Sequence, residues 1–379
     1  MKKIAITFGV SVSLMIIGSV CTVKSQDSIR ISPFHISFVT PLGTNGMQSW
    51  NTVNRISFNL FAGYSGGLKG VEAAGFANAL KGDMEGIQIA GFCNNTFGTA
   101  NGLEIAGFWN YNQEKVIGCQ LSGFANVALD TVEGFQGSGY VNYARGASFG
   151  QASGFANVST GDVSGFQGSG FANVTVGDTR GVQAAGFANV TTGTQTGVQA
   201  SGFFNYARKL CGVQLGFINV ADTVEKGIPI GFLSFVRNGY RVIQVGGNET
   251  LYGEISFKTG VRQFYNIISA GASARNGSVK WGFGYGIGTM IPLGKRLDLS
   301  LEAVSYQINE DSWYTDHMNM LNRLNLSLGF NITRTIGVYA GGSWNVWVIG
   351  NEIDDEHPHH WRSDVSMHPG FTAGMRIGL

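Results

Sequence analysis

Residues 70–238 repeat one short pattern, and this repeat constrains the fold more than any other feature of the chain. Most units read G-x-Q-x-x-G-F-x-N followed by a turn-like segment, and the pattern recurs every 15 or 16 residues. A fixed period of this kind indicates a repeat architecture in which each unit is one structural element. Eleven units open at Gly70, Gly86, Gly102, Gly118, Gly134, Gly150, Gly165, Gly181, Gly197, Gly212 and Gly227.

Two polar positions recur inside the units. Eight of the eleven units hold this Gln, in the third position except for Gln151, which comes one residue early, and ten units carry the Asn. Glu72, Glu104 and Pro229 replace the Gln, and Ser234 replaces the Asn. So many equivalent copies favour repeated hydrogen bonding, in a ladder or along a lumen, over a single sugar-binding pocket.

The units consist of strands and turns. Their glycine density and the lack of an i, i+3, i+4 apolar pattern exclude helices, whereas Val, Phe, Tyr and Thr favour strands. Segments such as 159–162 (STGD) and 191–194 (TTGT) have the composition of turns. Each unit is therefore predicted to be about ten residues of strand followed by a turn.

Two β architectures can use such a unit. In an up-and-down barrel each unit is one strand, and successive strands run in opposite directions. In a β-solenoid each unit is one coil, so identical residues stack and the Gln and Asn side chains form amide ladders. The repeat by itself slightly favours the solenoid.

The sequence on either side of the repeat favours a membrane barrel. Apolar and polar residues alternate over 56–64, 279–287, 324–332 and 371–379. In a soluble sandwich each apolar face needs a second sheet to cover it, yet nearly every strand here has such a face. Strands of about ten residues, tilted by about 40°, rise about 25 Å, which is the height of the apolar band of outer-membrane barrels.

Counting strands gives an even number, as bacterial barrels usually have. We place two strands before the repeat, one in each unit and seven after it, the first of these at 242–260. The resulting prediction is an all-β fold, a transmembrane antiparallel β-barrel of about 20 strands. The alternative is a β-solenoid of eleven 16-residue coils joined to a smaller antiparallel barrel or sheet.

Residues 1–25 have the form of a secretory signal peptide. Lys2 and Lys3 precede an apolar run, and Val23 and Ser25 occupy the small-residue positions of a cleavage site. Lipidation at Cys21 is a weaker alternative, because the residues before it fit that signal poorly. Cleavage changes the formal net charge from +1 to −2, since the segment holds three Lys and no acid. This balance excludes a nucleic-acid patch and a polybasic membrane anchor.

The composition points to a chain with little ordinary solvated surface. Only 13% of the residues are charged, and 57 of the 379 are Gly, whereas soluble domains have about 25% charged residues. After the signal peptide no run of 18 apolar residues occurs, so a membrane-spanning part would have to be a barrel.

These features predict four segments and a non-enzymatic function. The segments are a signal peptide (1–25), N-terminal barrel strands (26–69), the eleven-unit repeat (70–238) and C-terminal barrel strands (239–379). We expect an outer-membrane barrel that acts as a pore or a surface scaffold, or alternatively a structural or adhesive surface protein with a repeat solenoid. The expected partners are outer-membrane lipid, the barrel-assembly machinery and an unidentified extracellular ligand, with no nucleic acid.

The chain also resembles a known group of proteins. The units G-x-Q-x-x-G-F-x-N, the stretch GVQLGFINVADTVEKGIPIGFLSFVRNGYR (212–241) and the opening PFHISFVTPLGTNGMQS (33–49) are similar to mostly uncharacterised surface-repeat proteins of Gram-negative bacteria. The resemblance implies export to the surface or the outer membrane and implies no activity. One departure is the C-terminus, because outer-membrane proteins usually end in an aromatic residue and this chain ends in Leu379.

Few residues are candidates for chemistry. His357, His359 and His360 lie in an acidic segment, and imidazole with carboxylate ligands can bind zinc. Pro358 and the absence of a helix leave no fixed ligand geometry, which favours a hydrated loop. No G-x-S-x-G nucleophile motif occurs, so we predict no catalytic site and no cofactor.

Several ionisable residues of the C-terminal strands fall on inward-facing positions of the predicted barrel. In that position they would pair with one another or line a pore and set its charge selectivity. They are Glu254, Lys258, Asp298, Glu302 and Arg376.

Overall fold

A computed structural model describes residues 29–275, 277–312, 318–352 and 361–379. The predicted all-β fold is confirmed: the described elements are strands, apart from one short 3-10 helix at Gly46–Asn51. Over these ranges no helix has the length and apolar character needed to cross a membrane. The chain is a repeat protein built from a β-solenoid and a closed β-barrel.

The solenoid is built from short strands. They are β1 (Arg30–Val39), β2 (Leu42–Gly43), β3 (Thr52–Ser65), β4 (Gly67–Ala74), β5 (Ala77–Leu80), β6 (Met84–Ala90), β7 (Cys93–Thr96), β8 (Ala100–Ala106), β9 (Trp109–Asn112), β10 (Val116–Ser122), β11 (Ala125–Ala128), β12 (Thr131–Ser138), β13 (Val141–Ala144), β14 (Gly146–Ser153), β15 (Ala156–Ser159), β16 (Val163–Ser169), β17 (Ala172–Thr175), β18 (Thr179–Ala185), β19 (Ala188–Ser201), β20 (Phe204–Leu215), β21 (Ile218–Val224), β22 (Ile228–Ile230) and β23 (Leu233–Val236).

Successive coils stack in parallel and in register. β10 pairs with β12 so that Gln120 lies opposite Gln136, and β11 pairs with β13 so that Asn126 lies opposite Asn142. Each coil therefore supplies one strand to each of two columns of parallel strands, and a bend at the Gly-Phe pair joins the two strands. The described part of the repeat and the strands before it form about twelve such coils.

The glycine that opens each unit lets neighbouring coils approach closely. Gly118 has a φ of +130°, a conformation that L side chains rarely adopt. A Cβ atom at this position would lie 2.1 Å from the carbonyl oxygen of Gly102 in the preceding coil. At Gly102 the same distance, to Gly86, is 1.9 Å. The glycine column is therefore a requirement of in-register stacking.

One unit departs from this column. Phe149, and not Gly150, lies opposite Gly134. The sequence pattern opens this unit at Gly150, which is one residue too late. Phe149 has a φ of +95° and is 75% exposed. Gln151 nevertheless lies opposite Gln136 in the Gln column. This unit follows its predecessor after 15 residues instead of 16, and the shortening falls in a turn and not in a strand.

The prediction of a 20-strand antiparallel barrel is wrong for the repeat, and the alternative solenoid is correct. The bend at the Gly-Phe pair divides a typical unit into strands of seven and four residues, as in β10 and β11. Both are shorter than the roughly nine to eleven residues that a transmembrane strand needs. The alternative predicted eleven coils, and the structure has about twelve because β3 forms one more coil before the repeat.

The two N-terminal strands also belong to the solenoid and not to a barrel wall. β1 and β3 pair in parallel, and β3 continues into the first repeat unit through β4 and β5. The predicted faces were correct, since Phe58 is exposed and Asn59 is buried. Alternation defines the two faces of a strand but not the direction of its neighbour, and the neighbour here is parallel.

The C-terminal region forms a closed antiparallel barrel. Its eight described strands are β24 (Tyr240–Asn248), β25 (Gly253–Val261), β26 (Phe264–Arg275), β27 (Ser278–Pro292), β28 (Leu297–Glu310), β29 (Asn319–Asn331), β30 (Ile336–Glu352) and β31 (Trp361–Gly378), and β31 pairs with β24 to close it.

One predicted strand is in fact two. The segment 242–260 contains β24, a tight turn and β25. In the turn, Asn248 Oδ1 accepts hydrogen bonds from the backbone N–H groups of Thr250 and Leu251 at 2.9 and 2.7 Å. An Asn side chain can form a turn of this kind without Pro, so the turn was missed.

Candidate functional site

The repeated Gln and Asn residues form two amide ladders inside the solenoid. Gln136 Nε2 donates to Gln120 Oε1 at 2.8 Å, and Asn126 Nδ2 donates to Asn142 Oδ1 at 2.9 Å. These four side chains are fully buried. Each Gln amide in its ladder donates to the preceding coil, whereas each Asn amide donates to the following coil. The amide dipoles of the two ladders therefore point in opposite directions. The ladders are structural and leave no pocket for a ligand at these positions.

Each Asn also binds the backbone of the next coil. Asn126 Nδ2 donates a second hydrogen bond to the carbonyl oxygen of Gly137 at 2.8 Å, and Asn110 does the same to Leu121 at 2.8 Å. These carbonyls lie at the end of a strand, just before the Gly-Phe bend. The Asn column therefore supplies hydrogen-bond donors to backbone carbonyl groups beside the bend.

Two carboxyl groups interrupt the Gln ladder. Glu104 accepts hydrogen bonds from Gln120 at 2.9 Å, Thr96 at 3.0 Å and Asn112 at 3.1 Å, and it is 1% exposed. Burial raises the pKa of the Glu104 carboxyl above its ordinary value of 4.5, although these hydrogen bonds oppose the shift. Burial raises the pKa of Glu72 in the same way.

Replacing Glu104 by Gln is expected to stabilise the protein at pH 7 by about 1–3 kcal/mol. The new amide could donate to Gln88, which lies opposite it, and no buried charge would remain. Because the folded-state pKa is raised, the contribution of Glu104 to stability is fully present below pH 4.5 and is lost as pH rises through the folded-state pKa. Urea unfolding between pH 4 and pH 8 should therefore show a weaker pH dependence in Glu104→Gln.

The matched control is Glu85→Gln, which changes a carboxyl that is 64% exposed and pairs with Lys69. This control should change the unfolding free energy by less than about 1 kcal/mol. A loss of stability at pH 7 in Glu104→Gln would mean that the hydrogen bonds to the carboxylate outweigh its desolvation.

A continuous column of stacked rings runs along the outside of the solenoid. Consecutive ring centroids are 4.4–5.8 Å apart, with interplanar angles of 2–16°. From Phe76 to Phe232 each ring follows the glycine of the bend in one coil, and Phe171 and Phe187, for example, are each 42% exposed. This aromatic ridge comprises Phe61, Phe76, Phe92, Phe108, Phe124, Tyr140, Phe155, Phe171, Phe187, Phe203, Phe217, Phe232 and, from the barrel, Tyr285.

Charged residues are excluded from the ridge and from the strands that flank it. In every unit this stretch begins one residue after the opening glycine and ends two residues after the ladder Asn, or after Ser234 in the last unit. It contains no Lys, Arg or Asp, and its only Glu residues are the buried Glu72 and Glu104. The other Lys, Arg, Asp and Glu side chains of the units lie around the opposite bend, the charged edge. Ion pairs along this edge join Lys69 to Glu85, Lys115 to Glu133 and Lys209 to Glu225.

The outer wall of the barrel is apolar. The alternation predicted for its strands is confirmed, because Leu326 and Leu328 are 53% and 50% exposed while Ser327 is buried. Outward-facing side chains with 38–61% exposure include Ile255, Ile268, Phe283, Ile287, Leu301, Leu324, Phe330, Val338, Phe371, Met375 and Ile377.

The interior of the barrel is filled by polar and apolar side chains, and Ile267, Val304, Ile308 and Leu321 belong to one buried apolar cluster there. The five ionisable residues predicted to face inward do so, and they pair. Lys258 binds Glu302 and Arg376 binds Asp298, with every side chain in these two pairs at most 8% exposed. Glu254 accepts a hydrogen bond from the Tyr306 hydroxyl at 2.9 Å. Sequence reasoning did not identify a further member, Arg323, whose Nη1 atom is 3.8 Å from Glu254 Oε2.

The last coil of the solenoid packs on the outside of the barrel wall. Thr259 follows the inward-facing Lys258, so it points outward, and its hydroxyl donates to the carbonyl oxygen of Ser234 at 3.2 Å. Asn266 Oδ1 accepts from the Ser234 N–H at 2.7 Å, and the Tyr285 hydroxyl donates to the Phe232 carbonyl oxygen at 2.7 Å. The barrel thus pairs backbone groups of the last coil, which would otherwise be an open strand edge.

The predicted metal candidates His357, His359 and His360 lie outside the described residues. Within the described ranges no group of three or more His, Cys, Asp or Glu side chains could hold a metal ion. Sequence reasoning missed the aromatic ridge, although the Phe that recurs one residue after the second glycine of each unit was a sufficient signal once the units are known to stack in parallel.

Comparison of the chain with protein-family models, with curated protein sequences and with solved structures gives no match. The resemblance to Gram-negative surface-repeat proteins therefore stays a prediction.

Proposed function

We propose that this protein is a membrane-anchored structural protein, in which the eight-stranded barrel is inserted in the outer membrane and holds the solenoid at the membrane surface. The segment 1–25, with the form of a secretory signal peptide, supports export of the chain. The barrel-assembly machinery would insert the barrel, and outer-membrane lipid would surround it.

The observation that carries this proposal is the apolar outer wall of the barrel, which surrounds an interior that holds buried ion pairs. A water-soluble barrel exposes mostly polar side chains, whereas this barrel exposes apolar residues such as Leu326 and Phe283 and buries the charged Lys258 and Arg376 beside its apolar cluster. Hydrocarbon around the wall would remove the cost of exposing this apolar surface to water. Closure of the barrel also leaves no strand edge unpaired, as a lipid environment requires.

The interior of the barrel favours an anchoring role over a pore. Eight strands enclose a space just wide enough for side chains to fill, and here it is occupied by ion pairs and by the buried Tyr265 and Tyr306. The Tyr265 hydroxyl donates to Glu302 at 2.7 Å, which adds to the packing of the lumen. We therefore favour the scaffold over the pore.

Replacing Leu326 by Arg tests the lipid-facing wall. If lipid covers this side chain, the substitution should cost about 2–4 kcal/mol near the bilayer centre and reduce insertion into phosphatidylcholine vesicles, measured by flotation and protease protection. If water covers it, an exposed Leu→Arg change should shift stability by no more than about 0.5 kcal/mol.

The matched control is Thr335→Arg, in an exposed turn that already holds Arg334, and it should insert as the unaltered protein does. Equal insertion of Leu326→Arg and this control would contradict the proposal. The same preparations, fused with planar bilayers, should show no steps of conductance, and regular steps would restore the pore.

A further inference from the structure

We propose that the aromatic ridge and the apolar strand faces beside it lie in the acyl-chain layer of the membrane that holds the barrel, so that the solenoid lies along the bilayer with its charged edge in water. This inference rests on the proposed function of the barrel. It assigns lipid as the occupant of an unpartnered apolar surface that runs along the solenoid.

The ridge is continuous with the barrel wall. Phe232, in the last coil, stacks on Tyr285 with ring centroids 4.4 Å apart and an interplanar angle of 16°. Tyr285 lies on the outward side of β27, in line with Phe283 and Ile287, which are 59% and 43% exposed. A lipid layer that covers the outside of β27 would therefore meet the ridge directly.

The solenoid extends away from the side of the barrel. Its coils stack one on another up to Phe232, and the next layer in the stack is the outer surface of β25, β26 and β27, through Thr259, Asn266 and Tyr285. A rod that leaves the side wall of a membrane barrel runs along the membrane. The ridge can then face one continuous layer over its whole length.

The distribution of charge gives the orientation. A charge in the hydrocarbon layer is costly, and the apolar side of every unit lacks an exposed Lys, Arg, Asp or Glu. The two acids on that stretch, Glu72 and Glu104, point into the coil and accept ladder hydrogen bonds. The ion pair of Lys209 and Glu225 marks the opposite edge. This is the pattern of an amphipathic element that lies in the interface plane.

The backbone at the ridge also suits a nonpolar medium. Chain bends are not tolerated in lipid when their N–H groups lack partners. Here the Phe124 N–H donates to the Phe108 carbonyl oxygen at 2.9 Å, and the Ala125 N–H donates to the same oxygen at 3.0 Å. The Gly123 N–H donates to the Ala106 carbonyl oxygen at 3.2 Å. The backbone N–H groups of the bend are therefore hydrogen-bonded to carbonyl oxygens of the preceding coil.

Spin labelling of the full-length protein in phosphatidylcholine vesicles tests this inference. The four native cysteines are replaced by Ala or Ser, and one label is introduced through Phe187→Cys on the ridge. Thr192→Cys, exposed toward the charged edge of the same coil, is the matched control, and Leu326→Cys reports on the barrel wall. Accessibility to oxygen, which partitions into lipid, is compared with accessibility to a water-soluble nickel chelate.

We expect the oxygen-to-nickel ratio at position 187 to match that at position 326 and to exceed that at position 192. Water-like ratios at 187 with a lipid-like ratio at 326 would overturn this inference and leave the barrel anchor intact. A water-like ratio at 326 would instead remove the proposed function. Low accessibility to both reagents at 187 would mean that protein, such as a second copy, covers the ridge, and would also overturn the inference.

Loss of folding in one variant would not leave the question open. Phe171→Cys carries the label one coil earlier, where the ring is equally exposed. Circular dichroism identifies the variants that keep the β structure. Two folded ridge variants with water-like ratios would be decisive against the inference.

Discussion

Replacing Gly118 by Ala is expected to destabilise the solenoid by about 3–5 kcal/mol, the combined effect of a strained backbone and an overpacked contact. The new Cβ would lie 2.1 Å from the Gly102 carbonyl oxygen, and φ at this position is +130°. Neither coil can move away without loss of the parallel hydrogen bonds between β8 and β10. Urea unfolding, followed by circular dichroism, measures the change.

Gly150 and Phe149, which lie in another coil, provide controls for the effect of Gly118→Ala. At Gly150 the φ is not in the positive range, and a Cβ would meet Phe135 Cδ2 at 3.4 Å, so Gly150→Ala should change stability by less than about 1 kcal/mol. Phe149 occupies the strained position of the glycine column with a φ of +95°. Phe149→Gly should therefore stabilise the protein by up to about 1 kcal/mol. A neutral Gly118→Ala would show that coils can separate at low cost.

Replacing Arg376 by Ala is expected to destabilise the barrel by about 3–5 kcal/mol, because it leaves a buried carboxylate without its cation. Arg376 Nη1 donates to Asp298 Oδ1 at 2.7 Å, and Nη2 donates to Asn331 Oδ1 at 3.0 Å. The Asp298 side chain is 3% exposed. Urea unfolding of the barrel in detergent micelles, followed by tryptophan fluorescence, measures the change.

The double variant Arg376→Ala, Asp298→Ala should recover part of the lost stability, since it removes the uncompensated charge. Glu310→Ala is the matched control: its ion pair with Lys280 is 2.8 Å long, but the two side chains are 36–40% exposed. This control should cost at most about 1 kcal/mol. Equal losses in Arg376→Ala and Glu310→Ala would mean that water enters the lumen, which would reopen the pore hypothesis.

The two parts of the molecule place polar groups inside by different means. In the barrel, isolated charges such as Lys258 and Glu302 pair across the lumen. In the solenoid, each amide pairs with a copy of itself one coil away, as Gln167 does with Gln151 at 2.7 Å. Both arrangements leave the outer surface free to be apolar, and the proposed membrane location of both parts depends on this property.

The sequence was sufficient to predict the all-β class, the faces of the strands that flank the repeat and the inward position of residues such as Glu302 and Asp298. These properties are local, because a period of two assigns side chains to opposite faces whatever the neighbouring strand does. The sequence was not sufficient to predict that Asn248 turns the chain between β24 and β25, and this missed turn, together with the strands assigned to the repeat, produced an incorrect strand count.

By itself the sequence determined the period of the repeat and the recurring positions of Gly, Gln and Asn within it. The tertiary structure alone decided that neighbouring units run in parallel, that eight strands close the barrel and that Tyr285 continues the aromatic ridge. The physical reason is that strand direction depends on hydrogen bonds between segments one coil apart, such as Asn126 to Asn142. A bend at the Gly-Phe pair permits those bonds, but no local preference of the residues specifies them.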